Sequence, residues 1–215
     1  MPKTLAAGAL ALALIAPGPL SSALLSSALL LSVPVSSALA APEPDDAKKR
    51  TSWGLYLTAR EAYEMKRERG AAVLFVDVRE PVEIMFTGFT DAVDVNVPFL
   101  LVDPAEWNAK KSVFMMEPNP DFAAGILAAL EARGLDGTAP VILMCRSGGT
   151  RGAPSAKALE GLGLTQVYVV VDGFEGATAK DNPNGPWRLV DGWKNSGLPW
   201  GYVLDPEKIY RRSFD

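Results

Sequence analysis

One thiol and two arginines stand within seven residues of each other. The chain has a single cysteine and no histidine. The cysteine lies in Val141-Ile142-Leu143-Met144-Cys145-Arg146-Ser147-Gly148-Gly149-Thr150-Arg151-Gly152. A loop that feeds a helix turns its backbone N–H groups inward, the helix dipole adds positive potential, and such a nest holds anions. A thiol in that field ionises more readily, and the thiolate is the nucleophile. The Arg146 and Arg151 guanidinium groups add permanent positive charge. The loop Arg146, Ser147, Gly148, Gly149, Thr150 and Arg151 is therefore the candidate anion-binding segment around a catalytic Cys145. The competing reading is an inert, buried cysteine beside a Gly-rich turn. Two arginines next to the thiol favour the reactive one. The absence of histidine removes Cys–His and Ser–His pairs and every His-containing metal site. A lone cysteine removes Cys-rich metal sites and an intramolecular disulfide. No metal and no organic cofactor is implied.

The elements that must position this loop follow from the flanking pattern. Val141 to Met144 is a short apolar run, a buried strand. Apolar residues return at helical spacing at Ala153, Ala156, Leu159 and Leu162, and Pro154 suits the first turn of that helix. The cysteine thus sits at the carboxyl end of a strand, where open α/β sheets bind ligands. Upstream, Gly54 to Leu57 is a short strand, and Thr58-Ala59-Arg60-Glu61 is a capping box that starts a helix closed by Gly70. Val73 to Val78 reads as a central parallel strand. Glu80 to Phe86 reads as a short helix, and Ala92 to Val97 as a strand ended by Pro98. Asn119 and Pro120 read as the cap and first residue of a helix with Phe122, Ile126 and Leu130 on one face and Gly134 at its end. Val167 to Val171 is the last strand. Alternating strands and helices imply an α/β fold with a parallel sheet between helical layers. No internal repeat is visible.

Two separated motifs carry a family resemblance. Cys145-Arg146-Ser147-Gly148 with a following arginine, then Gln166-Val167-Tyr168-Val169-Val170-Val171-Asp172-Gly173-Phe174, resembles the active-site half of rhodanese-like domains. Leu74-Phe75-Val76-Asp77-Val78-Arg79-Glu80-Pro81-Val82-Glu83 resembles the same family's first motif. The resemblance covers roughly Leu55 to Trp200. The resemblance implies a three-layer sandwich with a central, mostly parallel sheet. It also implies a sulfurtransferase that carries a persulfide on Cys145. Its partners would be a small anionic sulfur donor such as thiosulfate and a thiol or cyanide acceptor. Asp77 and Arg79 would brace the turn after their strand. Glu80 and Glu83 read equally well as surface charges. Gly88-Phe89-Thr90 stands where the family usually has Gly-His-Ile, a structural position. The family's usual sulfurtransferase loop has its arginine five residues after the cysteine; here Cys145 and Arg151 form Cys-x5-Arg. That length resembles the phosphatases and arsenate reductases of the same fold, although Met144 stands where phosphatases usually have histidine. The alternatives are therefore such an oxyanion enzyme, or a non-enzymatic sulfur carrier or interaction module.

Composition sets the remaining bounds. A net charge of −4 argues against a nucleic-acid partner. Residues 1–40 carry only Lys3 as a charge and end in Ala38-Leu39-Ala40, a small-residue cleavage pattern. They read as a signal peptide cleaved after Ala40, which places the mature chain in the periplasm or outside the cell with no stable membrane insertion after cleavage; the alternative is an uncleaved anchor. Residues 41–52, with prolines and a charge run, read as a solvated linker. Residues 53–203 read as the domain and 204–215 as a surface tail. The stretch from Phe99 to Glu117 is long for a connection. Its Trp107, Phe114, Met115 and Met116 favour a flap packed on the core over a lid or docking surface. Trp187, Trp193, Trp200 and Tyr202 read as packing residues.

Overall fold

The computed structural model describes residues 40–212. The expected export signal therefore lies outside the described residues. In chain order the elements are β1 (Tyr56–Leu57), α1 (Ala59–Arg69), β2 (Leu74–Asp77), α2 (Pro81–Thr87), β3 (Val95–Asn96), β4 (Leu100–Asn108) and β5 (Val113–Pro118). They continue as α3 (Phe122–Glu131), β6 (Val141–Met144), α4 (Gly152–Lys157), β7 (Val167–Val170), β8 (Ala177–Thr178), β9 (Arg188–Val190) and α5 (Gly192–Asn195). Five strands form one sheet in the order β1-β7-β6-β2-β3, and every pairing is parallel. This is the α/β sandwich the residue pattern implies.

Strand periodicity divides the core between the two faces of the sheet. Leu74, Val76, Val141, Leu143, Val167 and Val169 pack toward Phe122, Ile126 and Leu130 of α3 and Ala156 of α4. Phe75, Ile142, Met144 and Val170 pack on the other face toward Ala62 and Met65 of α1, Ile84 of α2 and Trp193 of α5. Both faces being covered explains why β2 and β6 read as continuous apolar runs. β6 holds the middle of the sheet, flanked by β7 and β2, so the loop that leaves it stands on the most constrained part of the fold.

Local chemistry sets the element ends. The Thr58 capping box forms: the Thr58 hydroxyl accepts from the Glu61 N–H at 3.3 Å, and the Glu61 carboxylate accepts from the Thr58 N–H at 2.7 Å. Gly70 ends α1 at φ +54°, a conformation L side chains disfavour. Glu80 caps α2 by accepting from the N–H groups of Val82 and Glu83.

Five features differ from the pattern. The helix after the cysteine loop is short, with only six residues in α4. Beyond Lys157 the chain tightens into i→i+3 bonds at Leu159 and Glu160, and Gly161 and Gly163 at φ +78° and +79° stop it. Asn119 does not cap α3; its amide donates to the Pro98 carbonyl at 2.8 Å, and the helix begins at Phe122. The 41–52 stretch is anchored, because Ala41 is buried and its N–H donates to the Tyr56 carbonyl at 3.0 Å. The tail docks along β3, where the Asn96 N–H donates to the Lys208 carbonyl at 2.7 Å.

The stretch from Phe99 to Glu117 is not a flap on the core. It is an antiparallel β4–β5 hairpin with an irregular register between Asp103 and Trp107. Trp107 and Phe114 stay 57% and 50% exposed and pack edge-on against each other, so the apolar groups satisfy one another rather than the core. Its base is tied down by the Phe99 N–H, which donates to the Val78 carbonyl at 3.1 Å, and by the edge-on contact of Phe99 with Phe122.

Candidate active site

Cys145 follows the last residue of β6 and is free and buried. Its carbonyl accepts from the Phe174 N–H at 2.9 Å, and the Arg146 carbonyl accepts from the Glu175 N–H at 2.7 Å. The segment after β7 is thereby laced to the start of the cysteine loop. Two glycines permit that approach. A Cβ on Gly148, at φ +60°, would lie 1.6 Å from the Val171 carbonyl oxygen. A Cβ on Gly173, at φ +64°, would lie 2.5 Å from the Ser147 nitrogen and 2.6 Å from the Cys145 oxygen. The Gly152 Cα, which opens α4, faces the sulfur: a Cβ there would stand 4.0 Å from Cys145 Sγ. Among the described residues, no backbone N–H from Arg146 to Arg151 donates to another protein group. The loop therefore presents unused donors beside the sulfur, the arrangement of an anion nest. The dipole behind it is that of a short helix, so the N–H groups themselves supply most of the positive potential.

The arginines do not stand free as the spacing alone suggests. Arg151 is buried and grips Glu83 of α2 bidentately, Nη1 to Oε2 at 2.5 Å and Nη2 to Oε1 at 2.7 Å. The Arg146 side chain turns the other way and donates through Nε to Glu175 at 2.5 Å, with Glu83 at 3.9 Å. Glu83 thus lies between the two arginines of the loop. Burial pushes its carboxyl pKa up, but the Arg151 hydrogen bond and the charges of Arg151, Arg79 and Arg146 outweigh that and hold it below its ordinary value. Burial lowers the Arg151 pKa, and its bond to Glu83, the Glu83 charge, Cys145 and Asp77 more than restore it. Two acidic partners offset the two cations of the loop, so Arg151 is not an open receptor for an anionic substrate. Thr150 is exposed, and Ser147 and Gly149 are half-buried at the loop's surface.

Asp77 and Arg79 form a second, fully buried pair beneath the site. Arg79 Nη2 meets Asp77 Oδ2 at 2.6 Å, and the guanidinium also donates to the Thr87 hydroxyl and the Gly88 carbonyl. Its Cζ lies 4.0 Å from the Phe174 ring centre. The pair joins the end of β2, the end of α2 and the segment after β7, the same three pieces that surround the cysteine loop. Asp172 ties down the next turn: its carboxylate accepts from the Ala59 N–H at 2.8 Å and the Gly192 N–H at 2.9 Å. Burial raises its pKa, against the lowering effect of those two bonds.

Two acidic residues of the site escape sequence reasoning. Glu175 gives no signal. Glu83 does: it lies one turn into a helix opened by Pro81, in the motif that holds Asp77 and Arg79. A buried arginine such as Arg151 needs an acidic partner from elsewhere in the chain.

A five-stranded parallel sheet with a free cysteine at the carboxyl end of its central strand defines a class. The rhodanese-like domain model matches residues 58–180, and the chain belongs to the rhodanese-like domain family. Among solved structures it is similar to Rv0390 from M. tuberculosis, with 30% identity over 69% of this chain and 97% of that one and a TM-score of 0.48. It is also similar to the polysulfide-sulfur transferase homodimer from Wolinella succinogenes, with 23% identity over 55% and 68% and a TM-score of 0.36. A rhodanese-related protein from Thermoplasma volcanium shows 19% identity over 69% and 98% and a TM-score of 0.35. No curated protein matches the chain.

Proposed function

We propose that the protein is a sulfurtransferase whose Cys145 cycles between thiolate and persulfide. Family membership supports this class of activity. In the forward step the Cys145 thiolate attacks the outer sulfur of a thiosulfate-like donor. The donor's S–S bond breaks and its electron pair leaves with sulfite, so a persulfide forms on the enzyme. In the second step a thiophilic acceptor attacks the persulfide's outer sulfur and the thiolate returns. With cyanide the product is thiocyanate. The unused N–H groups of residues 146–151 stabilise the anionic sulfur in both states.

The observation that carries this reading over the oxyanion alternatives is the bidentate Glu83–Arg151 pair. A phosphatase or arsenate reductase uses the arginine of Cys-x5-Arg to hold two oxygens of a tetrahedral group. Here a carboxylate of the chain itself holds both donors. Sulfur transfer bonds the moving atom directly to Cys145 and needs no such grip. The test is an assay with thiosulfate plus cyanide beside one with an aryl phosphate. Sulfur transfer without phosphoester hydrolysis supports the reading; the reverse pattern favours the oxyanion enzyme. Export, with removal of residues 1–40, is part of the same proposal; an intact mass that retains Met1 after export rejects it.

A further inference from the structure

A cavity opens beside Arg146, the first residue of the loop that follows the nucleophile. It is a cleft of about 560 Å³ lined by Arg146, Glu175, Trp187, Arg188, Lys194 and Asn195, among others. Arg146 is the residue after the nucleophile. Glu175 is hydrogen-bonded to it through both main chain and side chain. The far wall comes from β9 and α5, beyond residue 180, where the family match ends.

The charge of this cleft runs against that of the chain. Three cations, Arg146, Arg188 and Lys194, line it with one carboxylate, Glu175, in a protein whose net charge is −4. Glu175 is shared: Arg146 sits at 2.5 Å and Lys194 at 3.6 Å. Arg188 has no carboxylate partner among the described residues; it donates through Nη1 to the Gly176 carbonyl at 2.8 Å. Of the four aromatic residues read as packing, only Trp193 is buried; Trp187 is 58% exposed on the cleft, as Trp200 and Tyr202 are exposed elsewhere, and Leu189 near it is 51% exposed. A cleft lined by three cations together with exposed Trp187 and Leu189 suits an anion that carries carbon, not a bare inorganic ion.

We infer that this cleft is the acceptor subsite and that the acceptor is an organic thiol bearing carboxylates. The inference rests on the persulfide reading above and names its second substrate. The thiol's carboxylates meet Arg188 and Lys194, and its carbon skeleton lies along Trp187 and Leu189. Its thiolate then attacks the outer sulfur of the Cys145 persulfide. That S–S bond breaks, its electron pair returns to Cys145 Sγ, and the acceptor leaves as its own persulfide. No further oxidant or reductant is involved. The persulfide places the transferable sulfur about 2 Å beyond Cys145 Sγ.

The test loads the protein with thiosulfate, removes the excess, and follows single-turnover discharge by mercaptosuccinate, 2-mercaptoethanol and cysteamine, each rate normalised to thiolate concentration. The expected order is dicarboxylate, neutral, cationic. The mercaptosuccinate to 2-mercaptoethanol ratio falls about tenfold in Arg188→Gln and falls in wild type as ionic strength rises. A ratio that Arg188→Gln leaves unchanged overturns the inference while leaving sulfur transfer intact. Calorimetry of the unloaded protein with the S-methyl thioether of mercaptosuccinate separates the two claims. If no persulfide forms but the thioether binds and Arg188→Gln abolishes that binding, the cleft stands and the sulfur chemistry falls. No binding by wild type overturns the cleft.

Discussion

At the scale of single residues, Glu83 governs what Arg151 can do. Arg151→Lys keeps the charge but loses the paired bonds to Glu83, since an ammonium cannot match a carboxylate with two fixed donors. The expected cost in thiosulfate turnover is about 1 kcal/mol in kcat/KM, roughly a fivefold loss. A loss of several orders of magnitude would mean that Arg151 touches the reacting group. The same pair sets an acid limb in stability. The Glu83 carboxyl is held below its ordinary value in the folded state. Its contribution is therefore fully present above the unfolded glutamate value, about 4.3, and disappears as pH falls through the lower folded value. Denaturant midpoints of wild type and Glu83→Gln should differ most near neutrality and converge in acid. Asp172 works in the opposite sense, since its raised pKa makes its ionised form the costlier one in the fold. A gap between wild type and Glu83→Gln that stays constant through the acid range would remove Glu83 from the account of the site.

At the scale of elements, the cysteine loop owes its shape to what it lies against. Gly148→Ala would force a Cβ to 1.6 Å from the Val171 carbonyl oxygen at a φ of +60°, so the loop must lift off the end of β7. The expected result is a folded protein with lowered Tm and little persulfide formation; unchanged loading would show that the loop's seat does not matter. Below it, Arg79→Ala strands Asp77 as an unpaired charge in the core, a loss of about 3–5 kcal/mol by denaturant titration. A loss below about 1 kcal/mol would mean that water reaches Asp77. These elements were legible in the chain wherever the pattern was local. The capping box at Thr58, the continuous apolar runs at Leu74 and Val141, and the glycine stop at Gly70 all depend on neighbours in sequence. The length of α4 was not legible, because Leu159 and Leu162 keep helical spacing although the backbone has tightened beyond Lys157. The β4–β5 hairpin was missed because aromatic and Met residues read as core wherever they occur; only the fold shows that Trp107 faces Phe114 across a separate ribbon. Within the site, the nucleophile and its loop could be read directly. The acidic partner Glu175 could not, since it arrives from the segment after β7, and Glu83 was signalled only by its place in the motif of Asp77 and Arg79.

At the scale of the molecule, the parallel sheet brings three crossovers to one end. The cysteine loop leaves β6, Glu83 arrives on the helix after β2, and Glu175 follows β7. Neighbouring strands in the order β7-β6-β2 place these three segments side by side, so the topology itself assembles the site. Arg188 and Lys194 come from the appended hairpin and helix that close the same end. The central claim is that Cys145 accepts and holds a sulfur atom. Its most direct test is intact mass spectrometry of the wild type and Cys145→Ser before and after thiosulfate, followed by cyanide. The account predicts a gain of one sulfur atom on the wild type alone, lost again as thiocyanate forms. A wild type that gains no sulfur while hydrolysing an aryl phosphate, with that hydrolysis lost in Arg151→Lys, would contradict it.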